Sequence, residues 1–329
     1  FRPIVDEKKG RERYWNLRKL LISHESAHVI FTLCTQATVG AFAMLMLGNW
    51  LDISPIIMLK NSSAFIPLIF VIVAVSTWGL FKLNMHLGKP HRFYRGFNNL
   101  RLSPVSREIA GVSMFYTGLL GYAVLGLFDN TILSVIANGF AVIGVLSGAI
   151  GLYYMYRLYR IPARPFWNHW QTGTAFFGTT LSFGALLIAV VSMCMLPLEM
   201  VGTQLLLQSL AAIMALGLAI EGIGHVAHAK AMRGAEHEGA VSYYVQTTEY
   251  GESYLFRNIL LGINLAFVIT LLLTGLSGTT GYLLGLILSI TMLFMAAFGR
   301  SLFFVLVIPT TMPGAFFWKN KGFVEHARN

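Results

Sequence analysis

Charge is what this sequence has least of. Charged residues fill 12% of its 329 positions, about half the share of an ordinary soluble domain, which excludes a soluble globular chain. Acid is scarcer than base, with 14 aspartates and glutamates against 24 lysines and arginines. Cysteine is almost missing. Cys34 and Cys194 each sit inside an apolar run, leaving no CxxC pair, no disulfide framework and no set able to ligate an iron–sulfur cluster. Any redox metal must then be held by histidines or lie in another subunit, and no metal site is expected in this chain. No basic stretch accompanies a soluble binding fold, so the net charge of +10 is not the footprint of a nucleic-acid partner.

Apolar residues are what is there. They make up 56% of the chain, with a mean hydropathy of +0.65, the composition of a polytopic integral membrane protein. Apolar runs predict eight transmembrane helices, at 27–49, 65–85, 107–128, 132–156, 172–196, 203–228, 254–276 and 280–308. Short connections at 129–131 and 277–279 make neighbouring helices antiparallel hairpins. The expected fold is all-α: an eight-helix membrane domain over residues 27–310 that divides into two four-helix bundles, with a basic N-terminal segment 1–26 and a tail 311–329. No period marks a repeat array. Many of the 32 glycines lie within spans, as in GLLGYAVLG and ANGF, and fit close helix approach in lipid. The chain starts at Phe1 rather than a methionine, leaving room for preceding sequence, and its basic opening FRPIVDEKKGRERYWNLRKL is no signal-peptide core.

The basic residues are one-sided. Of the 24, all but Lys60 and Arg300 fall on the face that carries both termini and the loops after the second, fourth and sixth spans. The positive-inside rule places that face in the cytoplasm, with the protein in the inner membrane and lipid around it. On the same face, residues 85–111, MHLGKPHRFYRGFNNLRLSPVSREIAG, put a histidine, several arginines and a glutamate where one helix leaves the membrane and the next enters. Ionisable groups at such a boundary are expensive to hold and suggest a site. Position alone also allows plainer roles. His86 fits an interfacial histidine bonding the next loop. Glu108 fits a helix-start residue favoured by the dipole, with Ser106 as a plausible N-cap. Arg92, Arg95 and Arg107 fit topology signals and headgroup contacts.

HLGKP, the asparagine-containing FNNL and SREIA together resemble the signature of the membrane anchor subunit of the dimethyl sulfoxide reductase family, the DmsC type. HESAHVIFTLCTQATVGAF at 24–42, with Gln36 and Gly40, resembles that family's first span. YRLYRIPARPFWNHW at 156–170 resembles its loop after the fourth span, and AAFGRSLFF at 296–304 its last span, so the likeness runs from about residue 24 to 317. The resemblance implies an anchor that holds iron–sulfur and molybdopterin subunits at the membrane in anaerobic respiration. It also implies exchange of electrons with a quinone, menaquinone or ubiquinone, without haem in this chain. It makes His86 the quinone-site histidine and Glu108 a residue acting with it. The chemistry agrees. A quinol gives up two protons and two electrons, so its site needs a group near neutral pKa, which a histidine supplies. A carboxylate can orient the imidazole or accept the second proton, and Arg92, Arg95 and Arg107 can stabilise an anion of the quinone or keep Glu108 ionised. In the better-known members the loop faces the periplasm. The charge count here turns it to the cytoplasm, as in a sulfite-oxidising type whose catalytic subunits are cytoplasmic.

Weaker candidates lie in the second half. Glu221 and Arg300 are isolated charges inside spans and are expected to form a structural pair or a proton path. His225 and His228 stand three apart, with His237 beyond, but no third metal ligand is fixed by the sequence. Tyr156, Arg157, Tyr159, Trp167, Asn168, His169 and Trp170 form an aromatic boundary that can rim the quinone pocket. The alternative function is an eight-helix transporter or proton-conducting protein running through Glu221, Arg300 and the histidines. Against it, the intramembrane charges are confined to one half. A di-haem cytochrome b would need paired histidines at mid-membrane, and all nine lie at span ends or in loops.

Overall fold

A computed structural model describes residues 12–22, 25–235, 238–275 and 278–306. The tail expected at 311–329 and the positions of His24 and His237 lie outside them. Among the described residues eleven α-helices follow in order: α1 (Leu17–Leu21), α2 (Ser26–Trp50), α3 (Ser54–Lys60), α4 (Phe65–His86), α5 (Pro104–Leu125), α6 (Thr131–Tyr159), α7 (Gln171–Met195), α8 (Val201–Arg233), α9 (Glu238–Thr247), α10 (Gly251–Thr274) and α11 (Gly278–Val305). A 3₁₀ helix, Pro90–Phe97, sits between α4 and α5, and no strand occurs among the described residues. Eight of the helices are long and apolar enough to cross a membrane, and they coincide with the eight apolar runs. In lipid every backbone N–H and C=O must be satisfied within the segment, which leaves the helix as the solution for such a run.

Local chemistry sets the helix ends. Ser103 caps α5, its hydroxyl accepting from the Ser106 amide at 3.3 Å, and Pro104 follows at the first helical position. This corrects the expectation that Ser106 is the cap: the helix starts three residues earlier, and Glu108 falls in its second turn. Asn130 caps α6 by accepting from the amides of Ile132 and Leu133. Gly275 ends α10 with φ at 75°, a conformation that favours glycine.

Packing divides the spans into two halves with one scheme. In the first half α2 packs on α4 and α5 on α6; in the second α7 packs on α8 and α10 on α11, with α8 also against α10. The leading helix of each half, α2 and α7, packs against the other and joins them. Lipid supplies no hydrophobic drive between helices, so close contact of small residues carries the association. On α5 and α6, a Cβ at Gly111 would lie 2.6 Å from the Gly151 Cα, and one at Gly118 would lie 2.6 Å from the Gly144 Cα. At the seam between halves, a Cβ on Gly184 would sit 2.6 Å from the Gly40 carbonyl carbon. The N-terminal strap is tied across the second half: the Ser253 hydroxyl donates to the Trp15 carbonyl at 2.6 Å, and the Tyr14 amide to the Thr248 carbonyl at 3.1 Å.

Gly118→Leu is expected to separate α5 from α6 and to lower stability by about 1–3 kcal/mol or more. Thermal unfolding in detergent reads the loss. Gly139→Ala, at a position open on all sides, should leave the transition unchanged.

Candidate functional site

A cavity of about 530 Å³ opens at the basic end of the first half. Its walls come from the starts of α2 and α5, the ends of α4, α6 and α11, the 160s loop and the 3₁₀ helix. The 3₁₀ segment lies close on α5 because residue 96 is glycine: a Cβ there would meet the Ile109 Cδ1 at 2.7 Å. Most of the lining is apolar, including Phe31, Leu83, Leu87, Val105, Ile109 and Leu158.

Few polar groups converge on it. Glu108 is 6% exposed, makes no hydrogen bond or ion pair with the described residues, and lines the cavity. Its carboxyl is therefore offered to whatever fills the space. His28 faces the same cavity from the first turns of α2, and its Nδ1 stands 3.3 Å from a Glu25 carboxylate oxygen, within ion-pair reach but not aligned for a hydrogen bond. Arg92 enters from the 3₁₀ helix and Arg164 from the loop, the latter stacked 4.5 Å over the Trp167 ring.

The far wall is aromatic. Tyr159 contacts the rings of Trp167, Phe176, Phe303 and Phe304 at centroid distances from 4.9 to 5.6 Å. Trp167 lies nearly parallel to Phe303, at 14° and 5.2 Å, and its indole N–H donates to the Phe303 carbonyl at 2.7 Å. The Thr172 hydroxyl in turn holds the Trp167 carbonyl at 2.7 Å. These anchored rings fix the wall by edge-to-face and stacked packing.

The residues singled out from sequence are distributed unevenly around this cavity. Glu108 and Arg92 line it. His86 is exposed at the end of α4 and does not line it, but its ring meets His28 edge-on at 5.2 Å. Arg95 is exposed on the 3₁₀ helix, away from the lining. Arg107 turns back instead: its Nε donates to the Leu100 carbonyl at 2.7 Å, one Nη to the Arg101 carbonyl and the other to the Tyr154 hydroxyl at 3.2 Å. It organises the loop before α5. His28, Glu25 and Arg164 were not anticipated. The signal for the first two was present in HESAH, whose histidine and glutamate three residues apart share one helical face.

In the second half the expected Glu221 to Arg300 pair does not form. Glu221 Oε1 accepts from His225 Nε2 at 3.2 Å, while Arg300 donates to the Gln36 side-chain oxygen at 2.7 Å and to the Thr179 hydroxyl at 3.3 Å. His228 Nε2 donates to the Phe166 carbonyl at 3.0 Å, and its ring meets that of His169 at 5.3 Å. His169, in the loop, is held below the usual histidine range by burial and by Arg160.

The family profile described as DMSO reductase anchor subunit (DmsC) matches residues 22–306. Among individual proteins, the C subunit of the anaerobic dimethyl sulfoxide reductase of Haemophilus influenzae is 28% identical over 174 residues, covering 50% of this sequence and 59% of that one. The anaerobic dimethyl sulfoxide reductase subunit YnfH of Escherichia coli is 29% identical over 174 residues, covering 51% of this sequence and 57% of the relative. The C subunit of the Escherichia coli anaerobic dimethyl sulfoxide reductase is 26% identical over 259 residues, covering 77% and 85%. The matched stretch thus spans under two-thirds of the first two relatives. No solved structure matches.

Arg107→Ala removes three anchors of the loop ahead of α5 and is expected to raise amide hydrogen exchange across residues 98–103 about tenfold, the effect of losing roughly 1.4 kcal/mol of local stability. Arg95→Ala, away from those contacts, should leave exchange there within twofold.

Proposed function

The chain belongs to the DMSO reductase anchor subunit (DmsC) family, and from that premise we propose that it anchors a molybdopterin oxidoreductase in the membrane and exchanges electrons with a quinone in the roofed cavity. One observation carries the reading: a buried, unpaired carboxyl, Glu108, lines a largely apolar space of about 530 Å³. Pockets of that size hold an aromatic ring and the start of a prenyl tail, and unpaired buried polar groups are costly unless a ligand satisfies them. The residues present therefore fit the group.

A bound quinol supplies two electrons and two protons. Glu108 takes one proton at a carboxylate oxygen and His28 the other at a ring nitrogen, with Glu25 stabilising the imidazolium. Arg92 and Arg164 hold the ring oxygens by charge-assisted hydrogen bonds. The wall of Tyr159, Trp167 and Phe304 keeps water from the far side of the ring. His86 touches His28 from the exposed side and passes a proton toward the basic face. An iron–sulfur subunit docked on that face would take the electrons and pass them to a molybdopterin subunit. The names of the relatives, subunits of anaerobic dimethyl sulfoxide reductases, support this assignment. The one-sided basic residues support a cytoplasmic placement of the loop and of those partners in the inner membrane.

Binding of a fluorescent quinone analogue to the purified protein tests the site. Glu108→Gln and His28→Gln should each weaken it about tenfold, the loss of one hydrogen bond of about 1.4 kcal/mol; Arg95→Gln should change it less than twofold. Wild-type affinity in both site variants would remove the cavity from the mechanism. For the orientation, the thiol of Asn98→Cys should resist an impermeant reagent added outside intact cells.

A further inference from the structure

The second half holds a buried polar cluster that electron transfer at the first cavity does not use. Arg257 on α10 is 2% exposed, Arg300 on α11 4% and Glu221 on α8 6%. His225 lies against them: its Nδ1 stands 3.1 Å from the Gln171 side-chain nitrogen and its Nε2 3.2 Å from Glu221 Oε1. The Gln171 amide N–H donates to Nδ1, which leaves the ring proton on Nε2 for Glu221 and the imidazole neutral. Two guanidiniums and one carboxylate then leave one unit of positive charge enclosed. Several atoms have no partner among the described residues: Nε and Nη1 of Arg300, Nε and Nη1 of Arg257, and Oε2 of Glu221.

Two cavities of about 20 Å³ each adjoin these atoms and share Gln171, His225, Gly299 and Phe303 in their walls. Each admits one occupant the size of a water molecule. The inner cavity is lined by both Glu221 and Arg300, so their charges compensate across it and a water there bridges them. The outer one is lined by Arg257, Gln246, Tyr254 and His228, with no carboxylate among the described residues of its wall. Tyr254 offers its ring to the guanidinium at 5.2 Å, and Gln246 contributes a side-chain amide whose oxygen has no partner among the described residues. Glu238 on α9, though buried, is not in that wall.

We propose that the outer cavity is a binding site for a monatomic anion of halide size, held by Arg257 as the counter-charge of that guanidinium. A buried cation with no carboxylate beside it is costly, the wall presents the unpaired Nε and Nη1 of Arg257, and the free volume of about 20 Å³ is that of one small ion. The proposal is independent of quinone binding; a protein without affinity for quinones would keep the site.

The test uses the whole protein, purified in gluconate and then titrated with sodium chloride or sodium bromide at constant ionic strength. The melting temperature should rise and saturate with either halide and stay flat in gluconate, and diffraction data at the bromine absorption edge should place one bromide beside Arg257. Arg257→Gln should lose the halide-dependent rise whatever its starting stability, and if that variant fails to fold the wild-type titration and the bromine signal decide. Identical melting in halide and gluconate with a water in the outer cavity overturns the proposal, as does a bromide found only in the inner cavity.

Discussion

The crossing of α2 and α7 at Gly40 and Gly184 is the contact on which the rest of the membrane domain depends. With no side chain on either glycine the two backbones meet directly; a Cβ on Gly184 would stand 2.6 Å from Gly40. In lipid this closeness is the source of the attraction, since dispersion falls steeply with separation and the surrounding tails are as apolar as the helices. The crossing also sets registers. One turn before Gly40, Gln36 turns its oxygen to Arg300, and about one turn before Thr180, against which Gly40 packs, Phe176 lies under the same guanidinium at 4.1 Å. Two helices pressed together by glycine thus bring the acceptors that a buried arginine on a third helix requires.

From that seam the halves repeat one packing plan and diverge in chemistry. The start of α5 gives the first half a lone carboxyl, Glu108, beside an open cavity roofed by a 3₁₀ turn. The start of α10 gives the second half a guanidinium, Arg257, beside a space for one water-sized occupant. The difference in volume follows from what covers each end. The first half carries a segment with no buried residue, whereas α9 closes the second with Tyr243 and Gln246 buried. One half therefore opens a space of about 530 Å³, and the other only about 20 Å³.

Sequence pattern disclosed the eight spans because twenty apolar residues in succession have one solution in lipid, and the structure moves their ends by no more than five residues. It disclosed Glu108 because a carboxylate at a span entrance is costly. It did not disclose α9, which is short and of mixed polarity, or the burial of Arg257, which read as a loop cation at the edge of a span and is 2% exposed. The pairing of Glu221 with Arg300 was inferred from the scarcity of intramembrane charge. The partner actually chosen, His225, was legible at four residues' spacing on one helical face. The distinction between Arg92, which lines the cavity, and Arg95 and Arg107, which do not, rests on a 3₁₀ turn that hydrophobic periodicity does not encode.

The aromatic wall decides where protons from the proposed quinone site can go. Glu108 and Glu221 occupy different halves, and between them stand Tyr159, Trp167 and Phe303, packed ring on ring. The hydrogen bonds that hold the wall among the described residues run along it, from the Trp167 indole to a carbonyl of α11 and from Thr172 to the Trp167 carbonyl. A proton moves by exchange between donors and acceptors; the Trp167 N–H is spent on a carbonyl of the wall, and the Tyr159 hydroxyl makes no hydrogen bond across it among the described residues. On the proposed reading, a proton taken up at the first cavity therefore leaves through the roof, over His28 and His86 to the exposed end of α4. Uptake and release then lie on the same side of the membrane as the docked partner, and the cycle moves no charge across the bilayer through this protein.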